Sequence, residues 1–198
     1  MIIVILSIII SFMCGSIPTG YLLIKKLYGI DIRTKGSGNI GSTNAKRIEG
    51  SKISAIVMIL DMLKGLFPVF LGMCLAKITE LPLSTNAYLS IIAMAVILGH
   101  DYTPFLAFKG GKGVNTTAGA FLLIAPIPTL VSCAVYISLR FFTGIVSIKS
   151  MAVGLTISIM CIILKSPFSI TITSTAACIL MLFKHKDNIV RLIHNEEK

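Results

Sequence analysis

Tryptophan is absent from the 198 residues, and acidic side chains number 8 against 18 Lys and Arg. No two of the five cysteines lie close together. Each shortage removes a class of protein. A formal charge of +10 would ordinarily point to nucleic acid, but no aromatics alternate with the basic residues to stack on bases, so no nucleic-acid partner is expected. Cys14, Cys74, Cys133, Cys161 and Cys178 stand singly inside apolar runs, where a thiol behaves as a small hydrophobe. Neither a disulfide framework nor a metal-ligand spacing is present.

Several catalytic signatures are also missing. No Gly-Lys is followed by Ser or Thr, which excludes a Walker A loop, and no Gly-x-Ser-x-Gly elbow occurs. His100 and His185 are not followed by an acid at the spacing of a His/Asp acyltransferase, because those positions are Phe105 and Val190. The run Gly36-Ser-Gly38-Asn-Ile-Gly41 formally matches the dinucleotide fingerprint, with Asp61 downstream. That fingerprint needs a preceding strand and a βαβ unit, whereas a basic loop comes first and Asp61 sits inside an apolar run.

Long apolar runs are what the chain does have. Hydrophobic residues make up 55% of it and the mean hydropathy is +0.92. A stretch of ~20 apolar residues spans ~30 Å of hydrocarbon. Such runs cover about 2–24, 53–76, 86–107, 116–139, 144–164 and 167–183, which predicts an all-α integral membrane protein, a compact multi-pass bundle formed as one domain over residues 1–198. No basic region precedes the first run and no small-residue cleavage site follows it, so it is expected to be retained as a span.

Charge orients the bundle. The loop 25–52 carries Lys25, Lys26, Arg33, Lys35, Lys46, Arg47 and Lys52 against Asp31 and Glu49, which places it in the cytoplasm and the amino terminus outside. Lys109 and Lys112 lie inside again, and a charged tail follows Lys184. For the tail to be cytoplasmic, an even number of crossings must separate Val114 from Lys184, yet only three runs are visible. Pro126 and Pro128 interrupt the run 116–139 and mark a hairpin of two short spans. The expected total is seven crossings, with Arg140 and Lys149 inside and Lys165 outside; a single crossing plus a re-entrant segment in 116–139 is the competing count.

Two polar, glycine-rich loops punctuate these runs. In 36–44, Asn39, Thr43 and Asn44 cluster with Gly36, Gly38 and Ser37, and Lys46 and Arg47 follow. Glycine lets backbone N–H groups crowd around an anion, and the cations supply countercharge. In Phe108-Lys-Gly-Gly-Lys-Gly-Val, three glycines around Lys112 form a candidate nest of N–H donors, and a helix beginning near Val114 would add positive potential. Asp61 and Lys64 are one helical turn apart within an apolar run, where charges need a partner or a polar cavity. In the tail, His185 and Asn188 share a face if the segment is helical, while Ile189, Leu192 and Ile193 would hold it on the membrane surface.

Taken in order, Gly15-Ser-Ile-Pro-Thr-Gly-Tyr21, the loop 36–47, Asp61-Met-Leu-Lys-Gly65, the stretch from Gly99-His to Gly113-Val and His185-x-x-Asn188-Ile-Val-Arg-Leu resemble the bacterial membrane glycerol-3-phosphate acyltransferases that use acyl phosphate as donor. The resemblance implies a multi-pass enzyme of phospholipid synthesis in the bacterial inner membrane, with its active site on the cytoplasmic face. It implies acyl phosphate and sn-glycerol 3-phosphate as substrates and no metal, cofactor or acyl-CoA. By matching position it points to Ser37, Arg47, Lys112, His185 and Asn188 as catalytic. It points to Gly36, Gly38, Asn39, Thr43, Asn44, Gly110, Gly111 and Gly113 as substrate-binding. Ser42 and Asn115 stand where Ala is usual, and Asn195 where Gly is common.

The residues fit such chemistry on their own terms. Two phosphorylated substrates require several cations close together, and an acyl phosphate is activated enough for direct attack by a hydroxyl without an acyl-enzyme. A transporter for an organic phosphate is the alternative of a different class. It would be expected to show inverted repeats and a midplane site, and neither is evident here.

Overall fold

A computed structural model describes residues 1–197, and among them are nine α-helices and no strand. The first apolar run divides into α1, Ile2–Ser16, and α2, Thr19–Tyr28. Pro18 lies at the break; it has no N–H to donate and keeps Ile17 out of the helical region (φ −59, ψ 113). Gly29 ends α2 in the left-handed conformation, as helix ends favour.

The second run is longer than its apolar part. Helix α3, Ser42–Ile78, includes the end of the basic loop and breaks at Gly50 (φ 80, ψ −175). Ser54 Oγ donates to Ser42 O at 2.9 Å, folding the first piece back along the second. Helix α4, Thr85–Asp101, starts at Ser84, whose Oγ accepts from Ala87 N–H. The run 116–139 does split, into α5, Val114–Ile124, and α6, Pro126–Leu139, with Pro126 at the first helical position of α6, where a missing N–H costs nothing. Then come α7, Val146–Ile163, α8, Phe168–Lys184, and α9, Lys186–Ile193, with a 59° bend between the last two.

The helices alternate in direction around one cavity. Its lining includes Asp61 from the early part of the α3 span, His100 at the end of α4, Asn115 at the start of α5 and Arg140 just past α6. Ser147 at the start of α7 and His185 just past α8 complete the ring. Helix α1 runs parallel to α4: Ser7 meets Tyr88 near their starts, and Thr103 donates to Ser16 O at their ends. Both α5 and α6 are short, rising about 16 Å and 21 Å at 1.5 Å per residue.

Backbone close approach holds two of these pairs. A Cβ on Gly15 would lie 2.0 Å from Val96 O, and one on Gly99 2.1 Å from Phe12 O, so α1 and α4 pack nearly backbone to backbone. Gly65 and Gly119 do the same for α3 and α5 against Thr116 O and Met62 O. Val69, Tyr88, Ile92, Val96, Phe121 and Ile157 fill the centre, while Ile10, Phe70, Leu130, Ile159, Phe168 and Ile179 face outward. Helices apolar on both faces are those of a membrane protein. Among the described residues, four helical segments are long and apolar enough to cross a bilayer, or five if α8 and α9 form one bent span.

Candidate active site

The first polar loop is shaped from within by Asn44. Its Nδ2 donates to Ile32 O, Lys35 O and Asn39 O at 2.9–3.1 Å, and its Oδ1 accepts from Ser37 N–H at 2.8 Å. Buried to 1% exposure, Asn44 therefore acts on the loop. A Cβ on Gly36 (φ +57) would fall 2.2 Å from Asn44 Oδ1, which explains that glycine. Asn39 Oδ1 accepts from Gly41 N–H, leading the chain into α3. Ser37, Asn39 and Arg47 then face the cavities.

The second loop lies on the C-terminal end of α4. Gly111 N–H donates to His100 O at 3.0 Å, so this donor is unavailable to a nest around an anion. A Cβ on Gly110 would lie 2.1 Å from His100 O, and one on Gly111 2.0 Å from His100 Nε2. At these two positions packing, as well as any ligand, demands glycine. Lys184 Nζ donates to Asp101 O at 2.7 Å and so ties the end of α8 to the same turn. Gly113 (φ +70) is the N-cap of α5, whose first residues, Val114 and Asn115, line the cavity, as the helix-start expectation required.

The tail supplies the third side. Because a carbonyl only accepts, the 2.8 Å contact from His185 Nδ1 to Met181 O puts the proton on Nδ1. In the neutral ring Nε2 is then left with a lone pair. Lys112 Nζ donates to Asn188 Oδ1, Asn188 Nδ2 donates to Glu197 Oε1 at 2.5 Å, and Arg191 Nε donates to Glu197 Oε2 at 2.6 Å. Residues more than seventy positions apart are thus joined by one chain of charge-assisted bonds. Burial, partly offset by Glu197, lowers the Lys112 pKa below the ordinary 10.5.

Two cavities meet here. One, of about 750 Å³, is lined by the first loop, the Lys109–Lys112 loop and the basic tail residues Lys184, Lys186 and Arg191. The other, of about 420 Å³, runs between α3, α5, α6 and α7, with Met58, Met62, Ala118, Ile137, Val146 and Val153 in its walls. Ser37, Asn39, Arg47, Lys112, Asn188 and Glu197 line both. All thirteen expected site residues border one cavity or the other. Gly36, Gly38, Gly110 and Gly111 face the first, and Thr43, Asn44, Gly113 and His185 the second. Asn44 differs from the rest in having its polar atoms committed to the loop.

Beneath the site, Lys64 Nζ meets Asp61 Oδ1 at 3.0 Å and donates to Ile17 O at 2.8 Å, while Thr19 Oγ1 donates to Asp61 Oδ1 at 2.5 Å. The expected pair exists and also bonds the α1–α2 break. No site role was assigned from the sequence to Arg191, Glu197 or Ser147, which border the cavities. Their charge and hydroxyl carried no spacing signal. Thr143 Oγ1 accepts from Ile145 N–H within its own turn. No group of His, Cys, Asp and Glu able to hold a metal ion occurs among the described residues.

The chain is similar throughout its length to known proteins. The family model for glycerol-3-phosphate acyltransferase matches residues 5–195. A glycerol-3-phosphate acyltransferase of Clostridium acetobutylicum is 62% identical over 198 residues, all of both chains. One of Solidesulfovibrio magneticus is 39% identical, with 96% of this chain and 92% of the relative covered. The solved structure of PlsY (YgiH), an integral membrane glycerol 3-phosphate acyltransferase in its glycerol 3-phosphate form, superposes with a TM-score of 0.88 at 30% identity, covering 98% of this chain and 94% of that one.

Proposed function

Since this chain belongs to the glycerol-3-phosphate acyltransferase family, PlsY type, we propose that it transfers an acyl group from acyl phosphate to sn-glycerol 3-phosphate. The products are 1-acyl-sn-glycerol 3-phosphate and inorganic phosphate. The observation that carries this reading is the shared wall: six polar residues between a cation-rich cavity and one with apolar walls. A soluble phosphate ester and a lipid-borne acyl group need such a junction to meet.

In this scheme the acyl chain lies along Met58, Met62, Ala118, Ile137 and Val153, with its carbonyl at the shared wall. Arg47 clamps phosphate oxygens through its planar fork, Lys112 acts as a point charge, and Ser37, Asn39 and Thr43 donate or accept hydrogen bonds. Gly36, Gly38, Gly110, Gly111 and Gly113 let the backbone come close. Asn44 holds the first loop in shape. The glycerol hydroxyl oxygen bonds to the acyl carbon and the acyl–phosphate C–O bond breaks. The hydroxyl proton passes to the departing phosphate or to His185 Nε2. No acyl-enzyme is required; rate comes from positioning and from stabilising the developing negative charge.

The whole chain, 1–198, serves as one membrane domain. We assign it seven crossings, by α1 and α3 to α8, in the bacterial inner membrane, with the amino terminus outside and the cup on the cytoplasmic face. The alternation of helix ends at the cavity and the seven basic residues of 25–52 support this. Purified protein in detergent should convert glycerol 3-phosphate with acyl phosphate and not with acyl-CoA. Sealed inside-out membrane vesicles, but not right-side-out ones, should do so with external glycerol 3-phosphate. Equal use of acyl-CoA, or turnover in right-side-out vesicles alone, would contradict the donor and the face respectively.

A further inference from the structure

Resting on the acyl-transfer reading, we propose that Ser42 and Asn115 are a pair of positioning residues: the hydrogen bond between them sets the spacing of Arg47 and Lys112. Asn115 Nδ2 donates to Ser42 Oγ at 3.1 Å. Ser42 is the first residue of α3 and directly follows its N-cap, Gly41. Asn115 is the second residue of α5, whose N-cap is Gly113. The bond thus joins the two glycine-rich loops where each becomes helix. Arg47 lies five residues beyond one end of it and Lys112 three residues before the other. Both cations border both cavities, so a change in their separation falls on the phosphate between them.

The piece that carries Arg47 needs such a tether. Residues 42–49 stand between the first loop and Gly50, where the helix breaks at φ 80, ψ −175 and a Cβ would meet nothing within 4 Å. A glycine hinge of that kind does not by itself fix the tilt of a short helix. Ala45, fully buried with Ile24, Ile32, Ile40 and Val57, holds one face against the bundle. Apolar packing is non-directional, whereas a hydrogen bond tolerates a narrow range of distance and angle. Two such bonds converge on Ser42: Ser54 Oγ donates to its carbonyl at 2.9 Å, and Asn115 donates to its hydroxyl. The first refers the piece to α3 itself, and the second refers it to α5, which Lys112 precedes. The Asn115 end is a firm anchor, because Gly65 and Gly119 lock α5 against α3 nearly backbone to backbone.

An amide that lines a cavity can also touch substrate directly, and Ser42 would then be a bystander. The two roles give different results. In purified full-length protein, Ser42→Ala and Asn115→Ala should each lower kcat/KM for glycerol 3-phosphate by about threefold to tenfold, as expected for one partly buried hydrogen bond. The double variant should lose no more than either single one, since both remove the same bond. Ser42→Thr, which keeps the hydroxyl, should recover most of the loss. In an Arg47→Ala background the cost of Ser42→Ala should shrink below about twofold, because the group it aims is gone. A pair that merely stiffened the fold would lower Tm and would cost as much with Arg47 as without it. The Ser42/Asn115 cycle read by binding of inorganic phosphate should be equally non-additive without turnover. Protein that bound phosphate yet made no product would refute acyl transfer and leave this pair standing. Four results would overturn the pair: no loss in either single variant, losses that add in the double, an Asn115→Ala loss with Ser42→Ala harmless, or an undiminished Ser42→Ala cost beside Arg47→Ala.

Discussion

Lys112 is the residue on which most of the site's electrostatics turn. On the proposed reading its ammonium meets phosphate, and burial lowers its pKa from 10.5. As pH rises, a lysine with a depressed pKa loses its proton earlier, so kcat/KM should fall along an alkaline limb whose midpoint lies below 10.5. In Lys112→Arg the residual activity should lack that limb, because guanidinium stays charged. An unchanged limb in Lys112→Arg would assign the titration to another group. Single residues were unevenly legible in the sequence. The glycines and cations of both loops were plain, since their types fit phosphate directly. That Asn44 would turn inward and that Gly111 would spend its N–H on His100 O were not, because both depend on where the chain folds back. Glu197 was hidden for the same reason: only the left-handed turn at Asn195 brings it to Asn188.

At the scale of elements, hydropathy located the apolar helices and proline the split of 116–139, while the break within the run 2–24 was not anticipated. Pro18 divides the first run and Pro126 begins α6. The fold-back at Gly50 was not legible, because a lone glycine in a basic loop signals freedom without direction. Nor does composition reveal which helices touch. The close approach of α3 and α5 through Gly65 and Gly119 is a packing fact that yields a direct test. Gly119→Leu must force the pair apart, since even its Cβ would lie 2.0 Å from Met62 O, and should destabilise the bundle by about 1–3 kcal/mol. Gly144→Leu, with nothing within 4 Å of its Cβ, should leave the melting temperature unchanged. Equal thermal shifts for the two variants in detergent would mean that this contact does not hold the bundle.

For the whole molecule, the account depends on three distant stretches closing into one site: 36–47 beside α3, 108–113 between α4 and α5, and the tail from His185. Basic residues in all three are the ground for expecting them on one face, and the pairing of spans in 116–139 follows from that expectation. The structure adds that Ser37, Arg47, Lys112 and Asn188 border the same two cavities. The most direct measurement is the rate of phosphate release from acyl phosphate by three purified variants, Arg47→Ala, Lys112→Ala and Asn188→Ala, one from each stretch, each with its melting temperature checked. Each should lose on the order of 10²-fold in activity while remaining folded, because each removes part of one charge clamp. A folded Arg47→Ala or Asn188→Ala variant that released phosphate as fast as the unaltered protein would remove its stretch from the active site.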